Sequence, residues 1–438
     1  MTVKKQVLVG LTLFSMFFGA GNLIFPPFLG AMAGSHTWAA MAGFALTAVG
    51  FPILGVIAVA RSNGLTALAS RVSPKFAFVF TLLIYLSIGP CLAIPRTAST
   101  SFEMAVRPFM GENVRIAQAV YSVLFFGIAF LVALRPDKLT DRLGKILTPC
   151  LLVLIAILFA GCLMRPAGEY GIPMGQYAVS PLTKGFLEGY QTMDTIAALN
   201  FGLIIALNIR ALGVTSERDI VDETIKAGMI AGALLLVVYC ALAHIGAVTG
   251  GSFGQLENGA QALTALAQYL FGLIGMVLLG VIFFIACLNT CIGLLSCCSN
   301  YFCTILPRPG YVGWVAIFAV VSMVVSNVGL NRILEISVPV LNAIYPVAIV
   351  LIVLALAQKI IGRSGSIYRC AVLFTGLISV ASSLTQSGIR IPVIAPFTEG
   401  LPFYEAGLEW VIPAAAGVVL GAVFSAGKKA KGTEESHE

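Results

Sequence analysis

The chain has 438 residues, 59% of them hydrophobic and only 10% charged, with a mean hydropathy of +0.98. A water-soluble protein of this length could not hide so much apolar surface, so the composition excludes a soluble enzyme or binding module and implies an all-α polytopic membrane protein. The formal charge of +7 calls for no nucleic-acid partner, because cytoplasmic loops of membrane proteins are basic for orientation alone.

Apolar runs long enough to cross a core of about 30 Å, about 20 residues each, recur along the whole chain. They predict twelve spans, at residues 6–30, 37–60, 76–102, 116–134, 143–164, 188–209, 225–249, 271–304, 311–328, 333–358, 368–386 and 407–426. The first run follows a short basic start but is long and lacks a small-residue cleavage site, so it reads as a retained span and not a signal peptide. An even number of spans puts both termini on one side. With the termini cytoplasmic, 19 of the 26 basic residues lie inside, among them Lys4, Lys5, Arg61, Arg71, Lys75, Arg135, Lys138, Arg142, Lys145, Arg210, Arg218, Lys226, Arg363 and Lys428. Acids such as Glu103, Glu112, Glu169, Glu257, Glu399 and Glu409 collect outside or near outer span ends, as the positive-inside rule requires.

The first span is interrupted from within. Phe17 to Pro27 reads FFGAGNLIFPP: Gly19 and Gly21 lower helix propensity, Asn22 places an amide at membrane depth, and Pro26 and Pro27 cannot donate to the helical ladder. Non-helical backbone at that depth survives only where it is buried in protein or lines a cavity, so the break marks a candidate site. In the third span, Arg96 either pairs with Glu103 or with Glu335 of the tenth span as part of an outer gate, or snorkels to the outer headgroups. The Gly- and Pro-rich loop 165–187 divides five spans from the next five.

The sixth span reads GYQTMDTIAALNFG and gathers Gln191, Thr192, Asp194 and Asn200 among apolar neighbours. An ionised acid at helix centre costs about 2.5–3.5 kcal/mol on insertion scales, so Asp194 must face a wet cavity or a partner. It has two readings: a group that lines the substrate chamber, attracts an amine or relays a proton, and a structural acceptor for N–H groups at a local helix break. Repeats of five spans opened by spans one and six are inverted in the membrane, because five is odd. Breaks at corresponding positions of such repeats point to a transporter's binding site.

Residues 255–270 show apolar spacing at Leu263, Leu266 and Leu270 and predict an amphipathic helix on the outer surface, as a lid or a plain loop helix. His244 reads as a bonded packing residue. The cysteines of the eighth span, Cys287, Cys291, Cys297, Cys298 and Cys303, have no metal-type spacing and read as small apolar fillers. The pairs Gly30/Gly34, Gly228/Gly232 and Gly417/Gly421 allow close helix approach, and the last residues, SAGKKAKGTEESHE, read as a disordered tail. An intramembrane enzyme has no support, since HExxH and acid-rich metal motifs are missing from the spans. A passive channel would need no coupling between substrate and ion.

FFGAGNLIFPP, IGPCLAIPRTASTSFE (Ile88–Glu103) and ACLNTCIGLLSCCSNYF (Ala286–Phe302) resemble the bacterial branched-chain amino acid:cation symporter family, LIVCS, of the amino acid-polyamine-organocation superfamily. The resemblance runs over essentially the whole chain. It implies a LeuT-type fold of two inverted five-helix repeats plus two extra helices: residues 1–164 and 188–360 as repeats joined by an extracellular connection at 165–187, and 361–438 as the additional helices and tail. It implies a multi-pass protein of the bacterial inner membrane that takes up leucine, isoleucine and valine with sodium as the coupling ion and needs no obligate protein partner. A proton-coupled amino acid or nucleobase permease of the same fold is the alternative, kept in view by Asp194.

Within that resemblance, a half-helix beginning near Ala20 offers free N–H groups and a positive dipole end to a substrate carboxylate, so Ala20 and Gly21, beside Gly19, form the expected carboxylate site. Phe18, Tyr85, Gln191, Thr192, Met193 and Asp194 are the other expected substrate-binding residues. By similarity to sodium-coupled members, Asn22 and the Phe17 carbonyl belong to one cation site. Ser15 and Phe18 carbonyls face Ala286, Asn289 and Thr290 in a second, whose i, i+3, i+4 spacing places them on one helix face. Where family analogues carry two adjacent hydroxyl residues, this chain has Asn289 and Thr290.

Overall fold

The computed structural model describes residues 1–111, 114–134, 136–254, 256–362, 364–392 and 394–434, with the backbone alone for 136–147, 394 and 427–434. The side chains of Glu112, Arg135, Lys138, Arg142, Lys145, Arg363, Lys428, Lys429 and Lys431 therefore lie outside the described residues. Eight helical runs among the described residues are long and apolar enough to cross a membrane, and Thr148–Met164, Gly310–Ser326 and Val411–Ala426 are shorter apolar helices. The run Ala20–Ser62 is 43 residues long, too long for one crossing at about 1.5 Å per residue. It divides at Gly34, whose φ of +50° ends one helix at Ala33 before the next begins at Thr37. The expected spans are recovered in order.

Inside a bilayer the packing force is close van der Waals contact, because lipid tails are as apolar as leucine side chains. The small-residue pairs act this way. A Cβ at Gly30 would sit 2.0 Å from the Ala243 carbonyl oxygen, and one at Gly246 would sit 1.9 Å from that of Pro27, so spans one and seven touch backbone to backbone. Gly228 and Gly232 accept Ile53 of the second span, and Gly417 and Gly421 lie against the backbone at Cys370 and Ile367. Leu273, Ile274, Val277, Leu278 and Val281 of the eighth span are exposed, which is the face an apolar solvent would cover.

Two apolar cores result. One draws mainly on spans one, two, five and seven with the segment around Leu263, and the other on spans three, four and eight to eleven. The first-span break lies on their seam: Phe17, Phe18 and Leu23 belong to one core while Ala20 joins Met193 and Ile196 in the other.

Several expectations need correction. The predicted outer-surface helix is the first part of a helix, Gly259–Ile305, that bends at Gly272 (φ +61°, ψ −148°) into the eighth span. Its Leu263 and Leu266 are buried, and Gly259 packs on the Ile24 carbonyl, so this segment covers the Ala20–Ala33 half of span one. Pro26 and Pro27 do not break the first span, since helix Ala20–Ala33 runs through both. The sixth span is preceded by helix Pro181–Glu188 and a tight turn Gly189–Thr192, earlier than the expected start at 188. The last helix continues through Glu434, into the segment expected to be disordered, and 435–438 lie outside the described residues.

Candidate functional site

The first span stops at Phe17 and restarts at Ala20. Phe18 (ψ 85°) and Gly19 (φ −117°, ψ −168°) leave the helical region, and the first N–H groups of the second half have no intrahelical acceptor. Asn22 closes the turn by accepting from Gly19 N through Oδ1 at 3.2 Å. Pro26 and Pro27 supply no N–H to the carbonyls four residues earlier, so the Asn22 and Leu23 carbonyls also lose their helical donors. The prolines thus extend the polar backbone of the break without ending the helix there.

The sixth span breaks at Met193, which is buried and has a left-handed φ of +64°. A non-glycine residue held there costs about 1–2 kcal/mol per residue, and such strain concentrates at functional sites. Asp194 follows as the first residue of helix Asp194–Ala211, and its backbone N donates to Thr192 Oγ1 at 3.3 Å. Thr192 in turn donates to the Gly189 carbonyl at 2.9 Å.

The two breaks meet. Asn22 Nδ2 donates to Asp194 Oδ2 at 2.5 Å and also contacts the Tyr239 hydroxyl, which donates to the same Asp194 oxygen at 3.1 Å. All three residues are buried. Tyr239, on helix Glu217–Ser252, is a site residue that the sequence did not mark, because a tyrosine in an apolar span carries no spacing signal. The structural reading of Asp194 as an acceptor for backbone N–H groups does not match these contacts: its partners are side chains, Asn22 of span one, Tyr239 of span seven and Thr192 of its own turn.

Arg96 joins the same cluster. The third span is irregular just before it, with a π-helical turn Ser87–Cys91 that contains Pro90 and a non-helical Gly89 (φ −92°, ψ −129°). Arg96 Nη1 donates to the Gln191 carbonyl at 2.7 Å, and the guanidinium stacks over Phe25 at 5.3 Å from the ring centroid. The outer-gate pairing is not formed: Glu335 binds Arg332 at 2.6 Å on the exposed surface, and Glu103 lies within electrostatic reach of Arg107 and Glu257. Nor does Arg96 snorkel, being only 4% exposed. The sixth-span turn offers it a free carbonyl that a regular helix would not.

The eighth span reaches the first break at Gly19, where a Cβ would meet Thr290 Cγ2 at 3.3 Å and Oγ1 at 3.6 Å. Thr290 Oγ1 donates to the Ala286 carbonyl at 3.1 Å, and Asn289 Oδ1 is buried with no donor. An orphaned amide oxygen on the residue next to a threonine hydroxyl, with a carbonyl one turn earlier, is an oxygen set suited to a hard cation. Ser15 Oγ lies 3.0 Å from Thr148 Oγ1 of the fifth span. Phe17 packs on Phe201 and Phe18 stacks on Phe14. Tyr85 is not in the cluster: its ring stacks on Tyr301 at 3.8 Å, and its carbonyl accepts from Cys298 Sγ. His244 bonds Tyr170 through Nδ1 at 2.7 Å, as a packing residue would. Among the described residues no group of three or more His, Cys, Asp or Glu could hold a metal ion.

Residues 2–428 match the family described as Branched-chain amino acid transport protein. The chain is 40% identical over 426 residues to the branched-chain amino acid permease BraB of Bacillus subtilis, covering 97% of this chain and 96% of that one. It is 41% identical over 423 residues to the permease BrnQ of the same organism, covering 96% of each. It is 39% identical to the branched-chain amino acid transport system 2 carrier protein of Pseudomonas aeruginosa, over 95% of this chain and 94% of that one. In structure it resembles the inward-facing conformation of Mhp1 (TM-score 0.61, 15% identity, 96% and 91% coverage). It also resembles a manganese transporter mutant of Eremococcus coleocola (TM-score 0.60, 14% identity, 96% of each chain). These likenesses establish the fold, which is LeuT-like. The chain belongs to the branched-chain amino acid transport protein family, a family of transporters and not of enzymes.

Proposed function

We propose that this protein is a sodium-coupled symporter that carries leucine, isoleucine and valine into a bacterial cell across the inner membrane by alternating access. The observation that carries the reading is the junction of two helix breaks at the buried Asn22, Asp194 and Tyr239. It sits on the seam between two apolar cores, where one group of helices can rock against another. Spans one, two, six and seven form the moving group, and three, four, eight and nine the scaffold. The repeats are residues 1–164 and 188–360, with 165–187 between them, 361–438 as the additional helices, and both termini cytoplasmic.

Substrate carboxylate binds the free N–H groups at Ala20 and Gly21, the positive end of a half-helix. The names of the Bacillus and Pseudomonas relatives support an aliphatic α-amino acid as cargo. The three substrates differ by a methylene or its position, worth about 1–3 kcal/mol, so all three are carried. Sodium binds between the first and eighth spans, where Asn289 Oδ1 awaits a partner and Thr290 lies against Gly19.

The cation site is tested by sodium titration of leucine uptake in proteoliposomes. Asn289→Ala and Thr290→Ala each remove one ligand oxygen, so each should raise the sodium concentration for half-maximal uptake by about tenfold or more, the equivalent of about 1.4 kcal/mol. An unchanged sodium dependence in both variants would remove the eighth span from ion binding.

A further inference from the structure

We infer that Arg96 binds the substrate carboxylate, and that Arg96 and Asp194 form a two-ended receptor for the head group of a zwitterionic α-amino acid. The inference rests on the amino-acid reading above and assigns the polar end of that site. Both ionisable side chains are buried, at 4% and 3% exposure, and each lies in the other's field. Yet no ion pair joins them among the described residues: Arg96 spends Nη1 on the Gln191 carbonyl, and Asp194 Oδ2 is taken by Asn22 and Tyr239. An acid and a base buried within each other's field but not bridged are suited to a molecule that carries both signs.

The unfilled positions match the two ends of such a molecule. Arg96 Nε is buried with no acceptor, although a guanidinium offers five donors. Its Nη2 lies over Gly21, where a Cβ would be only 2.8 Å away, and the N–H of Gly21 belongs to the uncapped first turn of the half-helix. A carboxylate placed there meets the guanidinium fork and the helix end together. Gln191, three residues before Asp194 and with its backbone already holding Arg96, keeps its side-chain Oε1 buried without a donor, and an ammonium group would supply one. Phe25 beneath the guanidinium fixes its plane, which a flexible lysine ammonium could not reproduce.

Arg96 would also hold the sixth-span turn in place if it bound no substrate, so the test must separate recognition from scaffolding. Ligand-induced thermal stabilisation of the purified full-length protein in nanodiscs gives an affinity for leucine and, separately, for leucinol, which keeps the amine and side chain but has no carboxylate. In Arg96→Gln, leucine affinity should fall by about 10- to 100-fold, with leucinol affinity unchanged within about twofold, so the preference for leucine collapses. Arg96→Lys, which keeps the charge without the fork, should lose about tenfold for leucine alone and serves if the Gln variant does not fold. Equal loss for both ligands, or none for leucine, would overturn the assignment. Failure of the unsubstituted protein to bind leucine, valine or isoleucine would instead strike the substrate reading beneath it.

Discussion

Asp194→Ala is expected to lower leucine uptake by at least about 100-fold while the protein still reaches the membrane. The carboxyl group accepts from Asn22 and Tyr239 together, and leaving a buried donor unsatisfied costs about 1–3 kcal/mol. Its removal leaves two buried donors unpaired and unties the break of span one from that of span six, the contact that occlusion requires under the proposed mechanism. Uptake by reconstituted protein, normalised to the amount incorporated, measures the loss. Near-normal uptake would mean that the breaks need no such tie. Asp194→Asn adds a second reading of the same residue: the amide keeps the shape but sets a neutral group opposite the Asn22 amide. If that variant keeps its sodium dependence and loses any response to a proton gradient, the carboxylate carries a proton in addition to its structural contacts. If it loses sodium dependence, Asp194 belongs to the coupling of the ion.

Gly246→Val should be among the most damaging single changes away from the site. A Cβ at Gly246 would stand 1.9 Å from the Pro27 carbonyl oxygen, 2.6 Å from its carbon and 2.7 Å from its Cα. The obstacle is backbone, which cannot rotate away, and it lies one turn from Gly30, which packs on Ala243 in the same manner. Overpacking costs about 1–3 kcal/mol and more where the neighbour cannot move, so a lower unfolding temperature and a smaller monodisperse fraction in detergent are expected. Gly127→Val is the control, because nothing lies within 4 Å of its Cβ position. Equal stability of the two variants would contradict the close apposition of spans one and seven.

The spans were legible in the sequence because hydropathy and length report on the bilayer directly, and the first break was legible because two glycines and an asparagine have no other reason to interrupt an apolar run. Asp194 was legible as an outlier in cost. The rest depended on which helices meet. Tyr239 gives no signal until span seven lies against span one, and Arg96 looked like a gate residue because sequence gives its depth but not the open carbonyl of Gln191 that receives it. Tyr85 shares its span with Arg96 but stacks on Tyr301, a partner on the eighth span that no local pattern names. Pro26 and Pro27 misled for the opposite reason. Their effect falls on the carbonyls of Asn22 and Leu23, so they mark the site without interrupting the helix.

The central claim is tested most directly by uptake of labelled leucine into proteoliposomes under an inward sodium gradient, an inward proton gradient or neither, with excess valine or isoleucine as competitor. The account predicts accumulation above equilibrium only with the sodium gradient, suppressed by both competitors. Accumulation driven by protons with no response to sodium would contradict the assigned coupling ion, and the absence of leucine uptake under every gradient would contradict the assigned cargo.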